Sequence, residues 1–266
     1  MKGQSNYLFR IQYDGTRYEG WQKQKNTDRT IQGKLERVLE EFCGFPTEVC
    51  GSGRTDAGVH ALGQMASVRL PEGTDPEEIM KYANHYLPED IRILAVSQVP
   101  DRFHARLSAV WKTYCYHIDT GSKKDVFERK YTYGFPFSLD VEKMRQAARL
   151  LEGTHDFKSF CGNKKMKKST VRTIWQIHIS REGTKIAISY TGDGFLQYMV
   201  RILTGTLLEI GLGKRSPESV TEILYARERG AAGFTAPPEG LFLVSVGYSL
   251  PEFRQDQQSG PIGGER

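Results

Sequence analysis

One order of local patterns occurs twice in this 266-residue chain, and it narrows the possible folds more than any single motif does. Apolar alternation predicts a strand over about 6–13. The helical spacing of Ile31, Leu35, Val38, Leu39 and Phe42 then predicts a helix over about 30–42. Short strands are expected near 47–50 and 63–70. A second helix should start at Asp75-Pro76, a capping side chain followed by the residue best suited to the first helical position, with Ile79, Met80, Ala83 and Leu87 on its apolar side. "IRILAVSQV" (91–99) reads as a strand, so the first half runs β-α-β-β-α-β.

The second half repeats that order. A strand is expected at about 109–118, a helix from Leu139 to Leu151 ended by Gly153, and a hairpin of "VRTIWQIHIS" and "KIAISY" turning around Arg181-Glu182-Gly183. An apolar helix from Phe195 to about Ile210, a short helix capped by Ser216-Pro217 and a last strand, "LFLVSVGY", complete it. Two successive split βαβ units, each with helices on one sheet face, predict an α+β protein whose sheets join into one broad antiparallel surface. The expected division is 1–105, 106–250 and a tail, 251–266, that lacks apolar periodicity and should be disordered. A cleft between the halves is a natural pocket. The split βαβ unit serves both as an RNA-binding module and as a plain scaffold, so topology alone assigns no activity.

A formal net charge of +5 tilts the expectation toward an anionic partner. The densest basic stretch is "NKKMKKSTVR" (163–172), with Lys164, Lys165, Lys167, Lys168 and Arg172. A solvated loop and a phosphate-contacting loop both fit it. No apolar run is long enough for a membrane span, and the first residues lack the apolar stretch of a secretory signal, so a cytoplasmic protein is expected. Cys43, Cys50, Cys115 and Cys161 form no CxxC and have no nearby histidine pattern. Free thiols are the expectation, with neither disulfides nor a zinc site.

"GSGRTDAGVH" (51–60) concentrates the polar chemistry. Gly51 and Gly53 allow the chain to turn sharply after the expected "TEVC" strand, which accounts for the glycines but not for Arg54, Thr55 and Asp56 in succession. Arg54 offers a planar, permanently charged fork suited to phosphate or a base edge, and Asp56 can serve as acid, base, nucleophile or metal ligand. A turn held by its own hydrogen bonds also fits. The stretch lacks the Lys-Ser/Thr ending of a P-loop, and no second carboxylate stands nearby for a paired-acid mechanism. His60 can pack or cap as readily as catalyse. A lone aspartate among arginines suits a single carboxylate acting on an electrophilic carbon while cations keep it ionised.

The stretch 51–61, "GSGRTDAGVHA", resembles the catalytic motif of the TruA family of tRNA pseudouridine synthases. Further segments resemble that family in its own order: "YDGTRYEGWQKQ" (13–24), "TIQGKLERVL" (30–39), "LPEDIRI" (87–93), "RFHARLSAVWKTYCY" (102–116), "EGTHDFKSF" (152–160), "GFLQYMVRILTGTLLEIGLGK" (194–214) and "FTAPPEGLFLVSVGY" (234–248). The likeness therefore spans roughly 6–250. It implies the duplicated α+β pseudouridine synthase fold with a central antiparallel sheet. It also implies isomerisation of uridine at positions 38, 39 and 40 of the tRNA anticodon arm without cofactor or metal, and a homodimer in which one tRNA engages both subunits.

The resemblance places Asp56 at the catalytic aspartate, a nucleophile or proton abstractor, and Arg54 at the arginine that helps extrude the target base. Tyr114 matches the tyrosine that stacks on the uracil and assists removal of the C5 proton; Arg201 matches the basic residue that keeps the aspartate charged. Each has a plainer reading. Tyr114 lies in an alternating strand, where aromatic residues commonly fill a core, and Arg201 lies on an apolar helix, where a guanidinium needs a carboxylate partner under either reading. Arg106, Lys112 and the lysines at 164, 165, 167 and 168 are candidates for phosphate contacts, with solubility as the alternative. Leu107 stands where the family usually has phenylalanine, and Lys112-Thr113 replaces a more common Arg-Arg. Neither departure removes a proposed catalytic group.

Overall fold

Strand alternation builds the first half. In β1 (Gln4–Tyr13), Tyr7, Phe9, Ile11 and Tyr13 are buried while Arg10 and Gln12 are exposed, so one face is apolar and the other polar. The computed structural model describes residues 3–123, 125–163 and 165–250. Helix α1 (Ile31–Cys43) starts where the Thr30 side chain accepts from the Gly33 amide, and it buries Ile31, Leu35, Val38 and Leu39. β2 (Val49–Gly51) and β3 (His60–Pro71) follow. Helix α2 (Pro76–Tyr86) begins as its sequence indicates, with Asp75 accepting from the Glu77 amide, and β4 (Ile91–Val99) returns to pair with β1.

The second half contains β5 (Trp111–Asp119), β6 (Tyr133–Gly134), α3 (Val141–Leu151), β7 (Gly153–Asp156), β8 (Val171–Glu182), β9 (Lys185–Gly192), α4 (Met199–Gly211), α5 (Ser219–Ala226) and β10 (Leu241–Gly247). Three helix starts differ from the sequence reading. Helix α3 begins at Val141 rather than Leu139, because the Asp140 side chain caps it by accepting from the Lys143 amide. Helix α4 begins at Met199 rather than Phe195, because Tyr198 adopts a left-handed conformation (φ 60°) that helix geometry does not accept. Helix α5 begins at Ser219 without a side-chain cap; the Ser216 carbonyl, not its hydroxyl, accepts from the Ser219 amide. The short β6 and β7 are too brief to carry a periodic signal.

All ten strands form one sheet in the order β4-β1-β3-β10-β5-β9-β8-β7, with β2 added to β3 and β6 to β5. Antiparallel pairing dominates, with two short parallel exceptions, β3 with β10 and β5 with β6. The joint between the halves is the parallel one. β2 pairs with β3 only over residues 66–68, and β10 takes the start of β3, setting Phe242 opposite His60 and Leu243 opposite Ala61. The final strand of the second half is therefore inserted beside the first half's sheet. The connection between β2 and β3, residues 52–59, emerges where one neighbour gives way to the other.

Gly63 permits this close approach. A Cβ there would lie 2.5 Å from the Val244 carbonyl oxygen, a backbone atom that cannot swing aside. We therefore expect Gly63→Ala to lower unfolding stability by about 1–3 kcal/mol in urea titrations, as overpacking generally does. An unchanged midpoint would show that the joint tolerates separation.

Candidate active site

Residues 52–59 are held from three sides. Ser52 Oγ donates to Gln64 Oε1 at 2.6 Å, and Gln64 Nε2 donates to the Gly53 carbonyl at 3.0 Å. Tyr13 Oη and Thr55 Oγ1 share a buried hydrogen bond of 2.8 Å, and the Trp21 amide donates to the Thr55 carbonyl at 3.1 Å. The Val59 amide closes the turn on the Asp56 carbonyl at 3.2 Å. These anchors explain the "YDGTRYEGWQKQ" segment: it wraps the loop, and Gly15 approaches the Val59 backbone so closely that a Cβ would collide with its carbonyl oxygen.

The turn presents Asp56 to α4. Arg201 Nη1 donates to Asp56 Oδ2 at 3.4 Å, while Arg201 Nε donates to the Ala236 carbonyl at 2.6 Å and the Tyr198 ring centroid lies 5.2 Å from the guanidinium carbon. The guanidinium on this apolar helix thus has its carboxylate. Burial pushes the Asp56 carboxyl above the usual aspartate range, and the Arg201 charge and hydrogen bond oppose that shift without cancelling it. Tyr114, buried on β5, meets the edge of Phe195 with ring centroids 5.2 Å apart. Burial, and then the neighbouring Tyr13 and Asp56, drive its phenol well above the ordinary range, so it is a neutral, proton-carrying group at neutral pH. Core packing and cleft position are both true of it.

Asp56, Tyr114 and Arg201 share a cleft of about 550 Å³ with Arg54, Arg106, Lys112 and Arg172. Arg54 is exposed and, among the described residues, its side chain makes no hydrogen bond or ion pair, which leaves it free to meet a ligand. Arg106 is exposed at the same cleft. Asn163 and Met166 of the lysine-rich segment line it, whereas Lys165, Lys167 and Lys168 are exposed beside them and outside the lining; Lys164 lies outside the described residues, as does 251–266. His60 is not part of the cleft. It is fully buried, stacks on Phe242 at 4.6 Å and accepts from the Gly15 amide through Nδ1, which leaves Nε2 to donate to the Lys130 carbonyl. Burial lowers its pKa, so it is a neutral packing residue, and its proximity to Asp14 is not an ion pair.

Sequence reasoning missed Arg172, Phe195 and Tyr198 as cleft residues. Only their positions in resembling segments or in the basic stretch could have drawn attention to them. Among the described residues, no three His, Cys, Asp or Glu side chains are grouped to hold a metal ion, and no helix is long and apolar enough to cross a membrane.

A family model described as tRNA pseudouridine synthase matches residues 10–107 and 147–249. The chain belongs to the tRNA pseudouridine synthase family. The tRNA pseudouridine synthase A of Bacillus sp. (strain KSM-64) is 47% identical over 244 residues, covering 92% of this chain and 100% of that one. The tRNA pseudouridine synthase A 2 of Bacillus anthracis is 43% identical with the same coverage, and tRNA pseudouridine synthase A of Geobacillus sp. (strain WCH70) is 46% identical over 239 residues, 90% of this chain and 96% of that one. Both matched stretches contribute to the cleft, the first with Arg54, Asp56 and Arg106, the second with Arg172 and Arg201.

The opposed effects on Asp56 give a signed expectation. The raised carboxyl pKa means that, as pH falls, the charged form is lost at a higher pH than for an ordinary aspartate, and removing the opposing cation must raise that pKa further. We expect Arg201→Met to lower the single-turnover rate on the order of 10²-fold and to move the acid limb of its pH profile to higher pH. A limb that stays in place would show that Arg201 does not hold the carboxylate ionised.

Proposed function

We propose that the chain isomerises uridine to pseudouridine at positions 38, 39 and 40 in the anticodon stem-loop of tRNA, with Asp56 as its catalytic carboxylate. The observation that carries this reading is the Asp56–Arg201 pair, set on a tightly anchored loop in a cationic cleft and flanked by Tyr114. The reaction breaks the C1′–N1 glycosidic bond, turns the uracil and joins C5 to C1′; the C5 proton leaves and N1 gains one, so nothing is consumed. Asp56 acts as nucleophile or proton abstractor during bond cleavage. Arg201 keeps it ionised in a partly desolvated site, where burial alone favours the protonated acid.

The reacting base must leave its stack to reach such a cleft. Arg54, exposed and unpaired among the described residues, takes the place of the extruded base, and Tyr114 stacks on the uracil and relays the C5 proton. Arg106 and the lysines at 164, 165, 167 and 168 contact RNA phosphates around the cleft. The residues of the site require no metal or cofactor for this scheme. The enzyme works as a homodimer on a single tRNA, for which Val126, Phe127 and Phe137 offer exposed apolar surface, and acts in the cytoplasm where its substrate resides.

Incubating the protein with unmodified tRNA transcripts and mapping pseudouridine by position tests the reading. Product should appear at uridines 38–40, and its absence from every transcript with RNA binding intact would overturn the enzymatic claim. Asp56→Asn should bind RNA yet convert it at least about 10⁴-fold more slowly, as loss of a reacting group does. Neutralising the four lysines should weaken binding and reduce the salt slope by about 1 for each phosphate no longer engaged. An unchanged slope would assign them to solubility.

A further inference from the structure

Lys112 lies on β5, two residues before Tyr114, and its Nζ donates to the Ser52 carbonyl at 2.7 Å. Ser52 opens the loop that carries Asp56, so this bond ties the second half directly to that loop. An ammonium has three donors, and among the described residues only this one is engaged: no carboxylate lies within ion-pair distance. The fit is close, since a Cβ on Gly53 would stand 3.2 Å from Nζ.

The charges that face Lys112 all have its own sign. Arg106 approaches from the segment before β5 and Arg172 from β8, where the Ser169 and Val171 carbonyls hold its guanidinium at 3.1 and 2.6 Å. The register neighbours on β10 and β9 are Val246 and Gly192, neither of them titratable. Burial, followed by the repulsion of the two arginines, pushes the Lys112 ammonium down to about 8. Three converging cations with spare donors and no acid among them are unfavourable in isolation, and a phosphodiester relieves both the repulsion and the unmet hydrogen bonding.

We propose that Lys112, Arg106 and Arg172 form a subsite for one backbone phosphodiester of the bound RNA, and that Lys112 couples its occupancy to the Asp56 loop through Ser52. This rests on the RNA reading above. Lys112 is a positioning residue, not a catalytic one: it acts on the reaction by fixing the first residue of the loop when phosphate is present. Only the protonated ammonium grips the anion, so affinity for it falls as pH rises above about 8, where the unliganded protein loses that proton.

The test uses the full chain, an unmodified tRNA transcript, and Lys112→Arg and Lys112→Gln variants. Binding is measured at pH 7 and 9 across a salt series, and single-turnover pseudouridine formation at saturating RNA. Wild-type affinity should fall ~10-fold from pH 7 to 9, the expected loss when one required proton dissociates near 8. Lys112→Arg, which does not titrate there, should remove the dependence. Lys112→Gln should bind more weakly at pH 7 with a salt slope smaller by about 1, and its saturating rate should drop and be restored in Lys112→Arg. The arginine variant also guards against misfolding as the explanation.

Wild-type pH dependence and salt slope in Lys112→Gln would overturn the subsite. A reduced slope with an unchanged saturating rate would overturn the coupling. Product formation by wild type with Lys112-independent binding defeats this inference alone. Lys112-dependent binding without any product defeats the isomerase reading and leaves the phosphate subsite standing.

Discussion

The edge of β3 is the constraint on which the rest of the molecule depends. A strand edge can be paired once along its length, and here two strands divide it: β2 takes residues 66–68 and β10 takes 60–61. The division fuses two split βαβ units into one sheet. It also decides where the 52–59 loop must emerge. The loop leaves β2 as that strand ends and enters β3 where β10 begins, so Asp56 meets residues of the other half, Tyr114 on β5 and Arg201 on α4, without a long excursion.

A carboxylate in such a joint faces opposing demands. The closeness that orders the loop also strips water from Asp56 and favours its protonated form, while Arg201 favours the anion. The helix that supplies Arg201 is mostly apolar and buried, and the Ala236 carbonyl and Tyr198 ring fix the guanidinium before any ligand arrives. Preorganisation of this kind matters because no reorientation is then needed during the reaction. Tyr114 completes the arrangement as a neutral phenol against Phe195. The cleft around this pair is basic, lined by Arg54, Arg106, Lys112 and Arg172.

Much of this was legible from residue order. The repeated strand and helix patterns indicated the duplicated α+β architecture, and Asp75-Pro76 marked a helix start where one occurs. The start of α4 was not legible, since a helical period runs through 195–198 and only tertiary structure reveals the left-handed Tyr198. Nor was the parallel β3–β10 joint: its partners lie some 180 residues apart, and apolar alternation says nothing about which edge a strand joins. For the site, glycines explained only a turn until distant segments supplied the remaining members. The role of 13–24 as a clamp depends on backbone approaches at Gly15 that side-chain chemistry does not announce. His60, chemically plausible as a catalyst, is settled as a packing residue by its burial and its ring neighbours.

The most direct measurement is titration of the Asp56 carboxyl by carbon-13 NMR in protein labelled at aspartate, with Asp56→Asn used to assign its signal. A joint that buries the carboxylate against a single fixed guanidinium predicts an inflection above the ordinary aspartate range. An inflection within that range would contradict the account, since it would describe a solvated carboxylate, and one below it would show the Arg201 charge outweighing burial.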